Sequence, residues 1–103
     1  MVLIDKKAKC EGKNIVDSFY TRVDKWKNRP LVYYRDKGSY ISKSYIEMRE
    51  LVYDLASWFV SIGIKKGDKV AIYSANCWQW WVADLAIMSV GGVAIPIYPT
   101  NSE

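Results

Sequence analysis

Cys77, Asp84, the trio Trp78, Trp80 and Trp81, and the pair Gly91-Gly92 are the residues of this chain whose types and places could do chemistry. Cys77 falls where a helix begins, a setting that stabilises a thiolate. A nucleophilic or redox thiol also needs a base or a second thiol. The sequence has no His, and its other cysteine is distant Cys10. Asp84 is the only formal charge from Val70 to Ser102. It reads either as a functional carboxylate or as a group reaching a backbone N–H or a basic partner at the rim of the core, and the second is expected. The tryptophans could stack on bases or a ligand. Bases would also need nearby Lys or Arg, and none follows Lys69, so packing in a core or an interface is expected.

Gly91-Gly92 follows a helix rather than a strand. A phosphate cradle sets its glycines between a strand and the next helix, and neither a Walker pattern nor G-x-G-x-x-G occurs. The pair is therefore read as a helix stop with close helix–strand packing. Two cysteines without histidine do not make a zinc site. No catalytic residue and no metal ligand is assigned.

These residues sit within one stretch, Gly67 to Asn101. Val70 to Ser74 is a short apolar run of β formers, and Val93 to Ile97 is a second. Between them Asn76 can cap a helix that starts at Cys77 or Trp78 and runs to about Val90. Two non-alternating strands joined by a helix form a βαβ unit with parallel pairing. Between Trp78 and Val90 only Gln79, Asp84 and Ser89 are polar. A helix apolar nearly all round is buried on several sides, more than two strands can cover, so the unit expects neighbours.

The earlier chain supplies some of them. Asn14 can cap a helix over Ile15 to about Lys27, with Ile15, Phe19, Val23 and Trp26 on one face. Leu31 to Arg35 and Tyr40 to Ser42 read as an antiparallel ribbon turning at Asp36-Lys37-Gly38. Ser44-Tyr45-Ile46-Glu47 fits a capping box opening the longest helix, whose stripe is Met48, Leu51, Val52, Leu55, Phe59 and Ile62, with Gly63 as its stop. Residues 1 to 13 look like a lead-in segment. Asn101 or Ser102 could cap a further helix.

The 103 residues suffice for about one small domain. Five Trp and eight Tyr favour a packed core or a partner surface over disorder. The cysteine usage fits a reduced, cytoplasmic protein. The net charge is +4, and every Lys and Arg lies at or before Lys69, where they interleave with acidic residues; this reads as a solvated exterior rather than a nucleic-acid surface. Trp80 to Tyr98 has the length of a membrane span, but Asp84, Gly91-Gly92 and Pro96 inside it argue for a buried helix and strand.

From Ser44 onward the residues resemble the N-terminal region of the adenylate-forming (AMP-dependent) synthetase and ligase superfamily. Ser44-Tyr45-x-Glu47-Met48 resembles its T-Y-x-E-L helix start. Leu55-Ala56 and Phe59 to Gly63 match its A-x-x-L-x-x-x-G segment, and Gly67 to Ile72 matches G-D-[RK]-V-A-[IL]. Asn76, Trp80, Ala83-Asp84 and Gly92-Val93-Ala94 follow in order. Pro96 to Ser102 looks most like the long-chain fatty acid–CoA ligase branch.

The resemblance implies an α/β fragment: a small antiparallel ribbon plus the first βαβ unit of a parallel sheet, with residues 1–103 a partial AMP-binding domain cut at its C-terminal end. It implies a parent enzyme that uses ATP and magnesium to turn a fatty acid into an acyl-adenylate, then passes the acyl group to coenzyme A. The family's phosphate loop and catalytic lysine lie further along its chain, so this fragment alone is expected to be inactive and to bind no cofactor. One carry-over is made: the loop Tyr98-Pro99-Thr100, where relatives approach coenzyme A with glycines. The implied partners are the fatty acid and the remainder of its own polypeptide, with no nucleic acid. A stand-alone α/β module burying its Trp face in a homo-oligomer or partner, and a peripheral membrane contact through the basic first part, stay open.

Overall fold

The computed structural model describes residues 13–75 and 77–97. Three helices and two small sheets follow in the order α1 (Ile15–Trp26), β1 (Pro30–Asp36), β2 (Ser39–Ser44), α2 (Tyr45–Ser61), β3 (Lys69–Tyr73), α3 (Trp78–Ser89) and β4 (Val93–Ile97). The lead-in segment through residue 12, Asn76, and the expected helix start at Asn101 or Ser102 lie outside the described residues.

Local chemistry sets each boundary. The Asn14 side chain accepts the Asp17 amide at 2.8 Å, which satisfies one orphan donor of α1. Lys37 and Gly38, the two turn residues of the ribbon, both have positive φ (51° and 82°), as a twist-matched two-residue hairpin requires. The Ser44 hydroxyl accepts the Glu47 amide at 3.1 Å while the Glu47 carboxylate accepts the Ser44 amide at 3.0 Å, so the expected capping box is present. At the other end of α2, Ile64 N–H donates to Phe59 and Gly63 N–H to Val60. Gly91 and Gly92 close α3 in the same way, on Met88 and Ile87.

β1 and β2 pair antiparallel, and β3 and β4 pair parallel with Lys69 opposite Val93 and Tyr73 opposite Ile97. The two pairs form separate sheets. The core lies between the helices and one face of β3–β4. Met48 and Val52 of α2, Val23 of α1, and Ala86 and Ile87 of α3 are at most 1% exposed.

Three expectations shift. Ile15 and Ile62 belong by spacing to the buried faces of α1 and α2, yet both are exposed. They stand in the first turn of α1 and just past α2, while the buried residues of those helices come from the turns between. At the start of α3 the cap position is held by Cys77, not Asn76, and Cys77 makes no side-chain cap bond.

The parallel sheet is covered on one face only. Val70 and Ile72 of β3 and Ala94 of β4 pack against the core. Alternation sends Tyr73, Val93, Ile95 and Ile97 to the other face, where they are 38–69% exposed. Parallel sheets are normally buried on both faces, so this face is a layer short. The expectation that the unit needs neighbours therefore holds for the sheet, and also for Trp81, which is 51% exposed.

Candidate functional site

In an open α/β sheet the ligand-facing region is the carboxyl end of the parallel strands. Here the end of β3 and the end of β4 lie side by side, joined by Ser74 N–H donating to Ile97 O at 3.4 Å. The loop after β3 leads through Ser74 and Ala75 to Cys77 and the first turn of α3, so the positive end of a helix borders the same edge. The Ser74 hydroxyl contacts Cys77 Sγ at 3.7 Å. Tyr98, Pro99 and Thr100 would continue from β4 at this edge by chain order, but they lie outside the described residues.

The aromatic trio does not act as one group. Trp78 faces the ribbon: its ring lies 5.5 Å from that of Tyr34, with the Lys43 ammonium 4.7 Å above it. The same Lys43 reaches the Tyr34 ring at 5.8 Å. This corrects the reading that no cation stands near the tryptophans; the charge comes from β2, some thirty-five residues earlier, and only the fold shows it. Trp80 is half-buried, and its indole N–H is shielded from solvent without an acceptor. Trp81 points outward. An open groove of 620 Å³ runs between β1 and the start of α3, lined by Leu31, Tyr34, Cys77 and all three tryptophans.

Asp84 departs from expectation. It is half-buried, and among the described residues it has neither a hydrogen bond nor an ion pair. Loss of water contact without compensation pushes its carboxyl above the ordinary aspartate value. Cys77 is an exposed free thiol.

Gly91-Gly92 is a packing element, as read. A methyl group on Gly92 would meet Ile87 Cγ2 at 3.0 Å and Asp68 O at 3.2 Å, and one on Gly91 would meet Lys66 at 3.2–3.3 Å. The close approach lets Gly67 N–H donate to Gly91 O at 2.8 Å and Val93 N–H to Asp68 O at 2.7 Å, which sets the register of β4 on β3. Both glycine amides are taken by the end of α3, Gly91 N–H on Met88 O and Gly92 N–H on Ile87 O, so neither is free to cradle a phosphate. Among the described residues no three His, Cys, Asp or Glu groups gather around a point that could hold a metal ion. The residues described here thus do not fit magnesium or a triphosphate.

Residues 19–103 match the AMP-binding enzyme family. The chain belongs to that family. Long chain acyl-CoA synthetase 5 of Arabidopsis thaliana is 34% identical to it over 89 residues, which is 82% of this chain and 13% of the plant protein. The fatty acid AMP ligase of Legionella pneumophila superposes with a TM-score of 0.77 at 25% identity, over 85% of this chain and 15% of that one. Acetoacetyl-CoA synthetase from Streptomyces lividans gives a TM-score of 0.77 at 28% identity, over 82% of this chain and 13% of that one. The chain thus spans less than a sixth of the length of each of these relatives. Within the AMP-binding enzymes its ribbon and first parallel βαβ unit correspond to the N-terminal part of the fold, as the motifs from Ser44 onward imply.

Proposed function

We propose that this chain is the opening of the AMP-binding domain of a long-chain fatty acid–CoA ligase, and that its role there is scaffold rather than chemistry. The observation that carries the reading is the 34% identity with a long chain acyl-CoA synthetase across 82% of the chain. The whole ligase activates a fatty acid with ATP and magnesium to an acyl-adenylate and passes the acyl group to coenzyme A. Its setting is the cytoplasm, in keeping with the exposed free thiol of Cys77.

The chain's own contribution is positional. The Gly91-Gly92 contact and the parallel ladder fix β3 and β4, whose carboxyl ends present the loops after Tyr73 and Ile97. Tyr98, Pro99 and Thr100 would carry the approach to coenzyme A from that edge. The chief partner is the remainder of the same polypeptide, for which the apolar outer face of β3–β4 is the docking layer. In residues 1–103 alone we expect no activity.

The test is product analysis with the whole polypeptide, palmitate, ATP and magnesium, with and without coenzyme A. Thioester and AMP formed together support the ligase. Acyl-adenylate formed without consumption of coenzyme A would move the chain to an adenylate-only activity, such as the fatty acid AMP ligase it superposes on.

The exposed Trp81 and outer sheet face also favour a second reading, an interaction module that closes this surface in an oligomer. A reading frame ending at Glu103 with a stable oligomer would select it. A frame running on into a Ser/Thr/Gly-rich loop followed by Lys would reject it.

A further inference from the structure

We propose that the C-terminal end of α1 is a docking surface for an anionic phospholipid bilayer. Three cations converge there on one indole ring. The Arg22 guanidinium, the Lys25 ammonium and the Arg29 guanidinium lie 5.4, 5.4 and 5.7 Å from the centre of the Trp26 ring. They therefore stand within about one Debye length of each other, roughly 10 Å at 0.1 M salt, and an anionic surface meets their summed field.

The backbone builds this cluster. Arg22, Lys25 and Trp26 are three and four residues apart and share a face of α1. Beyond the helix end, Arg29 N–H donates to Trp26 O at 2.8 Å. The Lys27 and Arg29 carbonyls accept the Ile46 and Tyr45 N–H groups, both at 3.1 Å, which ties the turn to the start of α2 and holds Arg29 over the ring. The Tyr45 ring packs on Trp26 at 5.5 Å. Lys25, Lys27 and Arg29 are exposed. Asp24, two residues from both Arg22 and Trp26, falls on the opposite side of α1 by helical spacing.

Neighbouring apolar groups select a bilayer over a nucleic acid or a dissolved phosphate. Arg22 also lines the cleft between α1 and α3, together with Ile15 and Trp81, which are 66% and 51% exposed. A nucleic acid would use the cations and leave these side chains in water. The boundary between headgroups and acyl chains takes both kinds of group, and indoles gather there. Asp84, half-buried in the same cleft, is one carboxylate against four cations. This inference goes beyond the ligase reading and does not rest on it.

The test is sedimentation of the whole polypeptide with vesicles of phosphatidylcholine alone, and of phosphatidylcholine mixed with phosphatidylglycerol. We expect the mixed vesicles to bind at least about tenfold more tightly, with the difference lost at high salt. Lys25→Glu combined with Arg29→Glu should lower that binding at least about tenfold, while Lys25→Arg combined with Arg29→Lys should keep it. The same charge change at exposed Lys65 and Lys66, both to Glu, should cost clearly less, because it leaves the cluster intact. Equal binding to the two kinds of vesicle, or to neither, would overturn the proposal on the unaltered polypeptide, with no variant needing to fold. So would equal losses from the two charge-reversed pairs, which would leave net charge as the cause. Release of the polypeptide from mixed vesicles by millimolar inorganic phosphate, but not by chloride of equal ionic strength, would also overturn it and assign the cluster to a dissolved anion. Product analysis for the ligase uses no vesicles, so either reading can fail without the other.

Discussion

The Lys43 ammonium lies 4.7 Å above the Trp78 ring and ties the antiparallel ribbon to the first turn of α3. Tyr34, across the ribbon, meets the same ring at 5.5 Å. β1–β2 and β3–β4 are separate sheets, so side chains rather than a ladder must hold the ribbon against the parallel unit. Lys43→Met should cost about 0.5–1 kcal/mol in urea unfolding, and Lys43→Arg should restore most of it. A double-mutant cycle with Trp78→Leu should show coupling of that size. Additive losses would mean that the cation and the ring act independently.

The capping box at Ser44 gives a second expectation. Ser44→Ala removes the acceptor for the Glu47 amide and should lower stability by about 1 kcal/mol. The Ser44 backbone N–H, then its hydroxyl, hold the Glu47 carboxyl below the ordinary glutamate value. The unfolded chain therefore binds this proton more readily than the folded one. The contribution is present above the ordinary glutamate range and is lost as pH falls through the lowered folded value. In acid unfolding, Glu47→Gln should accordingly flatten the loss. An unchanged acid limb would contradict the assignment.

Asp84 titrates in the opposite sense. Its carboxyl is raised by desolvation, so the folded state holds the proton more firmly than the unfolded chain does. That contribution is full in acid, below the ordinary aspartate value, and is lost as pH rises through the folded value. Asp84→Leu should therefore be more stable than the parent at neutral pH, and the advantage should shrink in acid. Thermal melts at the two pH values decide it. A destabilised variant at neutral pH would show that Asp84 has a partner after all.

The glycine pair separates packing from ligand binding. Gly92→Ala places a methyl group 3.0 Å from Ile87 Cγ2 and 3.2 Å from Asp68 O, so a loss of about 1–3 kcal/mol is expected, as for overpacked cores. A variant of unchanged stability that loses nucleotide-dependent activity would turn the pair back into a phosphate contact.

Much of this was readable from the chain itself. Elements with local causes were placed closely: the Asn14 and Ser44 caps, the Lys37-Gly38 turn, the Gly63 and Gly91 stops and the parallel strands. What escaped depends on contacts distant in sequence. Lys43 belongs to a strand whose pattern says nothing of Trp78. Ile62 fits the apolar period of α2 but stands past its end, where periodicity cannot tell covered from bare. Asp84 was expected to find a partner because most buried carboxylates do, and whether one is within reach is a property of the fold. The loop Tyr98-Pro99-Thr100 rests on the resemblance alone and lies outside the described residues.

The most direct measurement is fatty-acid-dependent exchange of labelled pyrophosphate into ATP, run on the whole polypeptide and on residues 1–103. The account predicts exchange with a long-chain fatty acid in the first and none in the second. Exchange by residues 1–103 alone would contradict the scaffold role, and its absence from the whole polypeptide would contradict the ligase.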